Sequence, residues 1–452
     1  MSQKTTKIPE EGIFDAKQLG TPKMLVLGIQ HLFAMFGATV LVPAITGLSV
    51  SNTLLFAGIG TLLFHIITGR KVPAFLGSSF AFLGAYGLVT TSGQNIPLTY
   101  SSFGVACAGL LYFVIALLFK VFGAKKVMRF FPPIVTGPVI IAIGLTLSQT
   151  AINSCSSNWF IAVIAILVII VLNIWGKGMI KIIPIMLGVL ISYAIAIAID
   201  PSVRSTLIEN ISKANWVGIP FKWNETAMSI FGADFDPSMC ITAVITIIPI
   251  SLATIVEHIG DICAISSTTG KNYIQDPGLH RTLLGDGLAT TVAALFGAPA
   301  NTTYGENTGV LALSKVYDPR VIRLAALFSV ILSFCPKFAA AIISMPVATI
   351  GGVSLVLYGM ISAVGVRNVV ENNVDFTKSR NVIIAALILV LSIGIRFSDA
   401  GAINFTVSNI TISLSGLAVA SLVGIILNAA LPGNDYVFDN SKNDESFPNF
   451  EV

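Results

Sequence analysis

Charge is scarce in this chain. Of 452 residues only 11% are Asp, Glu, Lys or Arg, against 54% that are hydrophobic, which leaves too little polar surface to keep a soluble protein of this size in water. There are 4 histidines. The cysteines, Cys107, Cys155, Cys240, Cys263 and Cys335, are scattered and lie mostly in apolar runs, without the spacing of a zinc site or a disulfide framework. HExxH and GxSxG are both missing, and no pair of Asp residues is spaced for catalysis, so an intramembrane enzyme has little to rest on. The net charge of +4 is too small and too dispersed for a nucleic-acid surface. Residues 1–22 are polar and show no signal-peptide pattern, so insertion is expected to rest on the first span itself.

What is abundant is apolar sequence. Runs suited to about 30 Å of hydrocarbon occur at 24–48, 54–68, 103–122, 134–147, 159–175, 180–199, 242–265, 283–296, 321–343, 347–364, 382–395 and 412–431. Two short interrupted segments around Gly77 and Gly305 bring the expectation to about fourteen crossings of an all-α polytopic membrane protein. Lys and Arg concentrate in alternate loops, for example Arg70 and Lys71, Lys125 with Lys126 and Arg129, Lys177 and Lys181, Lys271 and Arg281, and Arg367 with Lys378 and Arg380. By the positive-inside rule this predicts a multi-pass protein of the cell membrane with both termini cytoplasmic. The loop 200–236, with Trp216, Phe221 and Trp223, is expected at the outer interface, and the acidic, Asn-rich tail 432–452 is expected to be disordered.

The chain also repeats itself. Pro73 precedes Ala74-Phe75-Leu76-Gly77-Ser78-Ser79-Phe80 and Pro299 precedes Ala300-Asn301-Thr302-Thr303-Tyr304-Gly305-Glu306, an offset of 226 that also relates His31 to Glu257. Farther on, Pro132 stands before Gly137-Pro138-Val139 as Pro346 stands before Gly351-Gly352-Val353, with the offset reduced to 214. A repeat of about seven spans is odd, so the second copy must be inverted in the membrane. Paired Gly- and Pro-interrupted segments in two inverted halves point to a midplane substrate site. Backbone at that depth leaves the helix only where it is buried in protein or lines a cavity. Ser78, Ser79, Thr302 and Thr303 suit a short strand, and each strand followed by a half-helix would aim N–H groups and a positive dipole end at the centre.

Two acids stand out because charge at bilayer depth is expensive. Glu306 lies in the second broken segment and Glu257 in the eighth span, and together they are expected to hold a flat, hydrogen-bonding solute and a coupling proton. Asp261 follows Glu257 by four residues and shares its helical face, so at least one of the pair should carry a proton. The alternative is an Asp261 simply solvated at the helix end. His258 points about 100° away and is expected to fill a polar packing role, whereas His31 is placed by the repeat offset to support the site.

At these residues a resemblance becomes specific. Gln30-His31-Leu32-Phe33-Ala34-Met35-Phe36-Gly37, Gly77 to Phe82, Glu257-His258-Ile259-Gly260, Asp276 to Arg281, Asn301 to Asn307 and Gly351-Gly352-Val353-Ser354 resemble the bacterial uracil permeases of the nucleobase-ascorbate transporter family. The resemblance implies fourteen segments in two inverted repeats of seven, with two short strands in broken segments three and ten. It also implies a core domain (24–130 and 238–344), a gate domain (131–200 and 345–432), an extracellular loop (201–237), cytoplasmic tails (1–23 and 433–452) and a homodimer. Carried over by position, Glu257 and Glu306 would bind the N–H edges of a pyrimidine, the backbone N–H groups of Phe80 and Gly305 would meet its carbonyl oxygens, and Phe80 and Tyr304 would flank the ring. Asp261, His31, Asn307, Ser354 and Tyr358 would support the site and its proton coupling, with alternating access as the mechanism and the proton in place of any cofactor. Asp261 stands where some relatives have histidine, which leaves open which side chain takes the proton. After Asn307 and Gly309, the family's usual Thr before a basic residue is replaced by Ser314-Lys315, which keeps the hydroxyl.

Uracil import is the favoured function. A carboxylate at 306, where purine-transporting relatives often have glutamine, accepts N–H bonds and favours uracil over xanthine, because an amide can also donate. A purine nucleobase symporter of the same family is one alternative. An anion transporter of the same architecture is another, and it would predict a basic or neutral residue at Glu306.

Overall fold

The structure, a computed structural model, describes residues 12–91, 96–232, 235–407, 410–434 and 436. The expected tails up to residue 11 and over 437–452 lie outside the described residues. The first half contains α1 (Thr21–Thr46), α2 (Val50–Ile67), β1 (Leu76–Ser78), α3 (Leu83–Thr91), α4 (Leu98–Phe122), α5 (Ala124–Val127), α6 (Pro133–Cys155), α7 (Trp159–Trp175), α8 (Met179–Ile182), α9 (Pro184–Ile199) and α10 (Pro201–Lys213). The second contains α11 (Pro237–Ile247), α12 (Ser251–Thr269), α13 (Leu279–Leu295), β2 (Asn301–Thr303), α14 (Gly305–Ser314), α15 (Pro319–Ser333), α16 (Pro336–Ile343), α17 (Val347–Glu371), α18 (Ser379–Arg396), β3 (Ala402–Val407), β4 (Ile410–Ser415) and α19 (Gly416–Ala430).

Among the described residues, 7 helices are long and apolar enough to cross a membrane alone, and two bent pairs raise this to 9. The apolar helices α7 and α19 are shorter; counted with α13 and the two strand-plus-half-helix segments, they would make up the expected fourteen. The protein is a multi-pass membrane protein. Pro132 and Pro346 are the N-cap residues of α6 and α17, so the prolines related by the shifted repeat offset start equivalent helices.

Two bundles form. In one, α1, α2, α4, α13 and α15 pack on one another; in the other, α6, α7, α9, α17, α18 and α19 do so. These two bundles correspond to the core and the gate that the resemblance implies. Helices α6 and α17 approach closely at Gly144, where a Cβ would collide with the Tyr358 carbonyl oxygen and the Ser362 side chain.

The broken segments take the expected form. Strands β1 and β2 pair antiparallel, Leu76 with Thr303, Gly77 with Thr302 and Ser78 with Asn301, as copies related by inversion must. Thr61 explains why the chain leaves the helix here: its hydroxyl accepts the Leu76 N–H at 2.9 Å and so satisfies backbone that a helix would have satisfied itself.

Four features differ from expectation. The 321–343 run bends by 86° between α15 and α16, because Pro336 disfavours helical geometry at Cys335, which is extended at φ −107° and ψ 89°. The 242–265 run is interrupted by a 3-10 turn at Ile248–Ile250 containing Pro249. The run beginning at 412 starts inside β4: a second hairpin, β3 with β4, precedes α19. Finally, residues 12–20 are not a free tail, since Ile13 forms a parallel bridge with Val316. In the loop 200–236, helix α10 turns 110° away from α9, and Trp216 and Trp223 are 74% and 65% exposed.

Candidate functional site

The β1–β2 ladder delivers two chain directions to one point. The Ser79 N–H donates to the Ala300 carbonyl at 2.8 Å and the Tyr304 N–H to the Phe75 carbonyl at 3.0 Å. There the ladder stops. Phe80 and Gly305 are the next residues: Gly305 opens α14, and Phe80 stands three residues ahead of α3. Tyr304 is locked in place: its hydroxyl donates to the Ser78 carbonyl at 3.0 Å and lies 3.2 Å from the Thr39 hydroxyl. Gly77 makes room for it, since a Cβ there would stand 2.6 Å from the Tyr304 ring. Gly305 is different. A Cβ on it would meet only Asp261, at 3.9 Å, so its freedom opens space in the site instead of allowing close packing.

Between core and gate lies a cavity of about 240 Å³, far above the roughly 10–15 Å³ that admits one water. Its core wall carries Phe80, Glu257, Asp261, Tyr304, Gly305 and Glu306; its gate wall is largely apolar, with Ile185, Met186 and Met360, but also carries Asn173 and Lys181. All five residues expected to touch the solute therefore line one cavity. Glu306 sits in the first turn of α14, where the positive end of the half-helix favours a carboxylate. Phe80 also meets Tyr358 of the gate edge to face, with ring centroids 5.5 Å apart.

The supporting residues form a second layer. Asp261 is not simply solvated: it is 8% exposed and accepts a hydrogen bond from the Thr303 hydroxyl at 2.7 Å. The Asn307 amide donates to the His31 carbonyl at 3.1 Å and stands 3.1 Å from His31 Nδ1, which ties α14 to α1. Ser354 and Tyr358 lie one turn apart on α17, both buried, behind the aromatic contact with Phe80.

Sequence reasoning missed one participant. Asp286 of α13 is fully buried and lies 3.0 Å from His258 Nδ1, which is itself 3.5 Å from the Thr303 hydroxyl. The polar packing role expected of His258 is thus part of a chain from Asp286 through His258 and Thr303 to Asp261 at the cavity wall. An acid inside the 283–296 apolar run was the available signal.

A cavity between two helical bundles, met at mid-depth by two broken crossings, is the anatomy of a secondary transporter. Solved structures share the fold: the transmembrane domain of the cyanobacterial bicarbonate transporter BicA (TM-score 0.59, 14% identity, covering 93% of this chain and 99% of that one) and SLC26A9 (TM-score 0.63, 12% identity, 92% and 66%). A sequence family described as a permease family matches residues 22–401. Among its similar relatives are the uracil permease of Bacillus caldolyticus, 38% identical over 92% of this chain and 94% of that protein, and the uracil permease of Escherichia coli strain K12, 36% identical over 89% and 90%. The putative pyrimidine permease RutG of the latter organism is 36% identical over 95% and 94%. The chain belongs to this permease family and is a membrane transporter, not an enzyme.

Proposed function

We propose that this chain imports uracil together with a proton, by alternating access. The observation that carries the reading is one cavity lined by Glu257 and Glu306 together with Phe80 and Gly305, beside the starts of the half-helices α3 and α14. A pyrimidine dione offers N–H donors and carbonyl acceptors along one flat edge, and this wall offers carboxylates for the former and the chain at Phe80 and Gly305 for the latter. Phe80 and Tyr304 supply aromatic surface to flank the ring. The relatives named as uracil permeases support the same substrate.

Proton coupling follows from the price of charge. Glu257, Asp261 and Glu306 share one largely apolar cavity with a single cation among the described residues, Lys181, and three carboxylates against one ammonium cannot all remain ionised there at low cost. Uptake of a proton with the solute lowers this charge by one before the core moves, with Asn307 and His31 keeping α14 fixed to α1, and Ser354 and Tyr358 linking the site to the gate. In this reading residues 24–130 and 238–344 move as the core against a gate of 131–200 and 345–432. The loop 201–237 is outside, both termini are cytoplasmic, and two copies pair in the cell membrane. An anion substrate is disfavoured by the same three acids, although the solved neighbours include anion carriers.

Radiolabelled uracil uptake into proteoliposomes tests this. An inward proton gradient should drive saturable uptake that a protonophore abolishes and excess xanthine does not compete. Uptake indifferent to the gradient would exclude proton coupling, and no uptake at all would exclude uracil.

A further inference from the structure

The stretch ahead of α1 is docked with unusual completeness for so short a segment. The Ile13 N–H donates to the Lys315 carbonyl at 2.7 Å and the Tyr317 N–H donates to the Ile13 carbonyl at 2.8 Å. The Ala16 N–H donates to Asp318 Oδ2 at 2.8 Å. Arg320 Nη1 reaches Asp15 at 2.5 Å, and the Phe14 ring lies 5.3 Å from that of Tyr317, with Lys271 Nζ 3.9 Å from its centroid. Ile13 and Ala16 are buried with Val316 and Val321 in an apolar cluster separate from the main core.

Apart from those with Asp318 and Arg320 at the start of α15, the contacts fall at the ends of elements that carry the site. Lys271 follows α12, which holds Glu257 and Asp261. Residues 315–317 follow α14, which holds Glu306 and Asn307. The strap itself runs directly into α1 and His31. Half-helix α14 is only 10 residues long, too short to hold its place alone, and its N-terminal end opens into the cavity. Its opposite end must therefore be fixed from outside.

We propose that residues 12–16 are a positioning clamp for transport: by pairing with 315–317 and holding Lys271 and Arg320, they keep the ends of α1, α12 and α14 in one register and so place Glu306 opposite Glu257. Ile13 is the principal positioning residue, since both of its backbone groups are committed to the loop after α14. The clamp stays docked throughout the cycle. This rests on the uracil reading for its transport readout but not for its structural one.

The test compares the full chain with Ile13→Pro, which removes the N–H donated to Lys315, with Ile13→Val as the conservative control, and with Asp15→Asn should the proline variant fail to fold. Loss of one such bond should raise the KM for uracil about threefold to tenfold with Vmax within about twofold, and amides of α14 should exchange hydrogen faster without ligand; Asp15→Asn should do the same more weakly, and Ile13→Val should change neither. A disulfide between Ile13→Cys and Val316→Cys should leave uptake intact. Unchanged KM and unchanged α14 exchange in both disrupting variants would overturn the clamp, and so would a cross-linked protein that no longer transports. If the unmodified chain takes up no uracil, the functional reading fails and α14 exchange alone decides the clamp.

Discussion

Replacing Thr303 with valine isolates one bond at the cavity wall. The two side chains have nearly the same shape, and valine suits the short strand as well as threonine does, so β2 and its pairing with β1 should persist. What disappears is the hydroxyl that donates to Asp261 at 2.7 Å and stands 3.5 Å from His258. Thr303 is 2% exposed and Asp261 8%, and both line the cavity, so a water there could replace the donor only in part. A hydrogen bond contributes about 0.5–3 kcal/mol, the upper half of that range when the acceptor is ionised, or roughly 2- to 150-fold in a binding or transport constant. Uracil uptake in proteoliposomes should show kcat/KM reduced within that range, Thr303→Ser should restore it, and a double-mutant cycle with Asp261→Asn should be strongly non-additive. Wild-type kinetics in Thr303→Val, or equal losses in the valine and serine variants, would refute the claim that this hydroxyl holds Asp261.

Asp286→Asn removes the partner of His258, 3.0 Å away with both side chains fully buried; it should cost about 1–3 kcal/mol and impair uptake although Asp286 does not line the cavity, as read by thermal unfolding in detergent beside transport. Gly144→Ala drives a methyl into the Tyr358 carbonyl and Ser362 and should destabilise the gate by about 1–3 kcal/mol, visible as a lowered Tm that a wild-type melting curve would contradict. Asp200 caps α10, and its carboxyl is held below the usual 3.8 first by the Ser202 hydroxyl and then by the Ser202 N–H. Because the folded value is the lower one, the cap's contribution is present above pH 3.8 and fades as pH falls further; α10 amides should lose protection only in that acid range, and Asp200→Ala should remove it at neutral pH as well.

Much of the site could be read from residue order because the signals were local. Pro73 and Pro299, with the small and β-branched residues after them, announce backbone that leaves the helix, and Glu257 and Glu306 stand out against apolar neighbours. Other parts depend on contacts that composition does not encode. The bridge from Ile13 to Val316 spans most of the chain and is made by backbone groups, which every residue possesses. Asp286 was visible as an acid in an apolar run, but its partner His258 could be found only from the packing of α12 against α13. The β3–β4 hairpin was partly legible in the alternation Ile412, Ser413, Leu414, Ser415, yet the apolar members of a strand count equally towards a helix when only mean hydropathy is followed. The bend at Pro336 follows a rule that acts one residue upstream of the proline and is masked by continuous apolarity on both sides.

Equilibrium uracil binding to the purified protein, with Glu306→Gln and Glu257→Gln beside the unmodified chain and thermal unfolding as a control for folding, is the decisive comparison. Each substitution exchanges a carboxylate for an amide of the same shape, so affinity should fall about tenfold or more in both while the fold is retained. Binding within twofold of the unmodified protein in both variants would contradict a site built on these two acids.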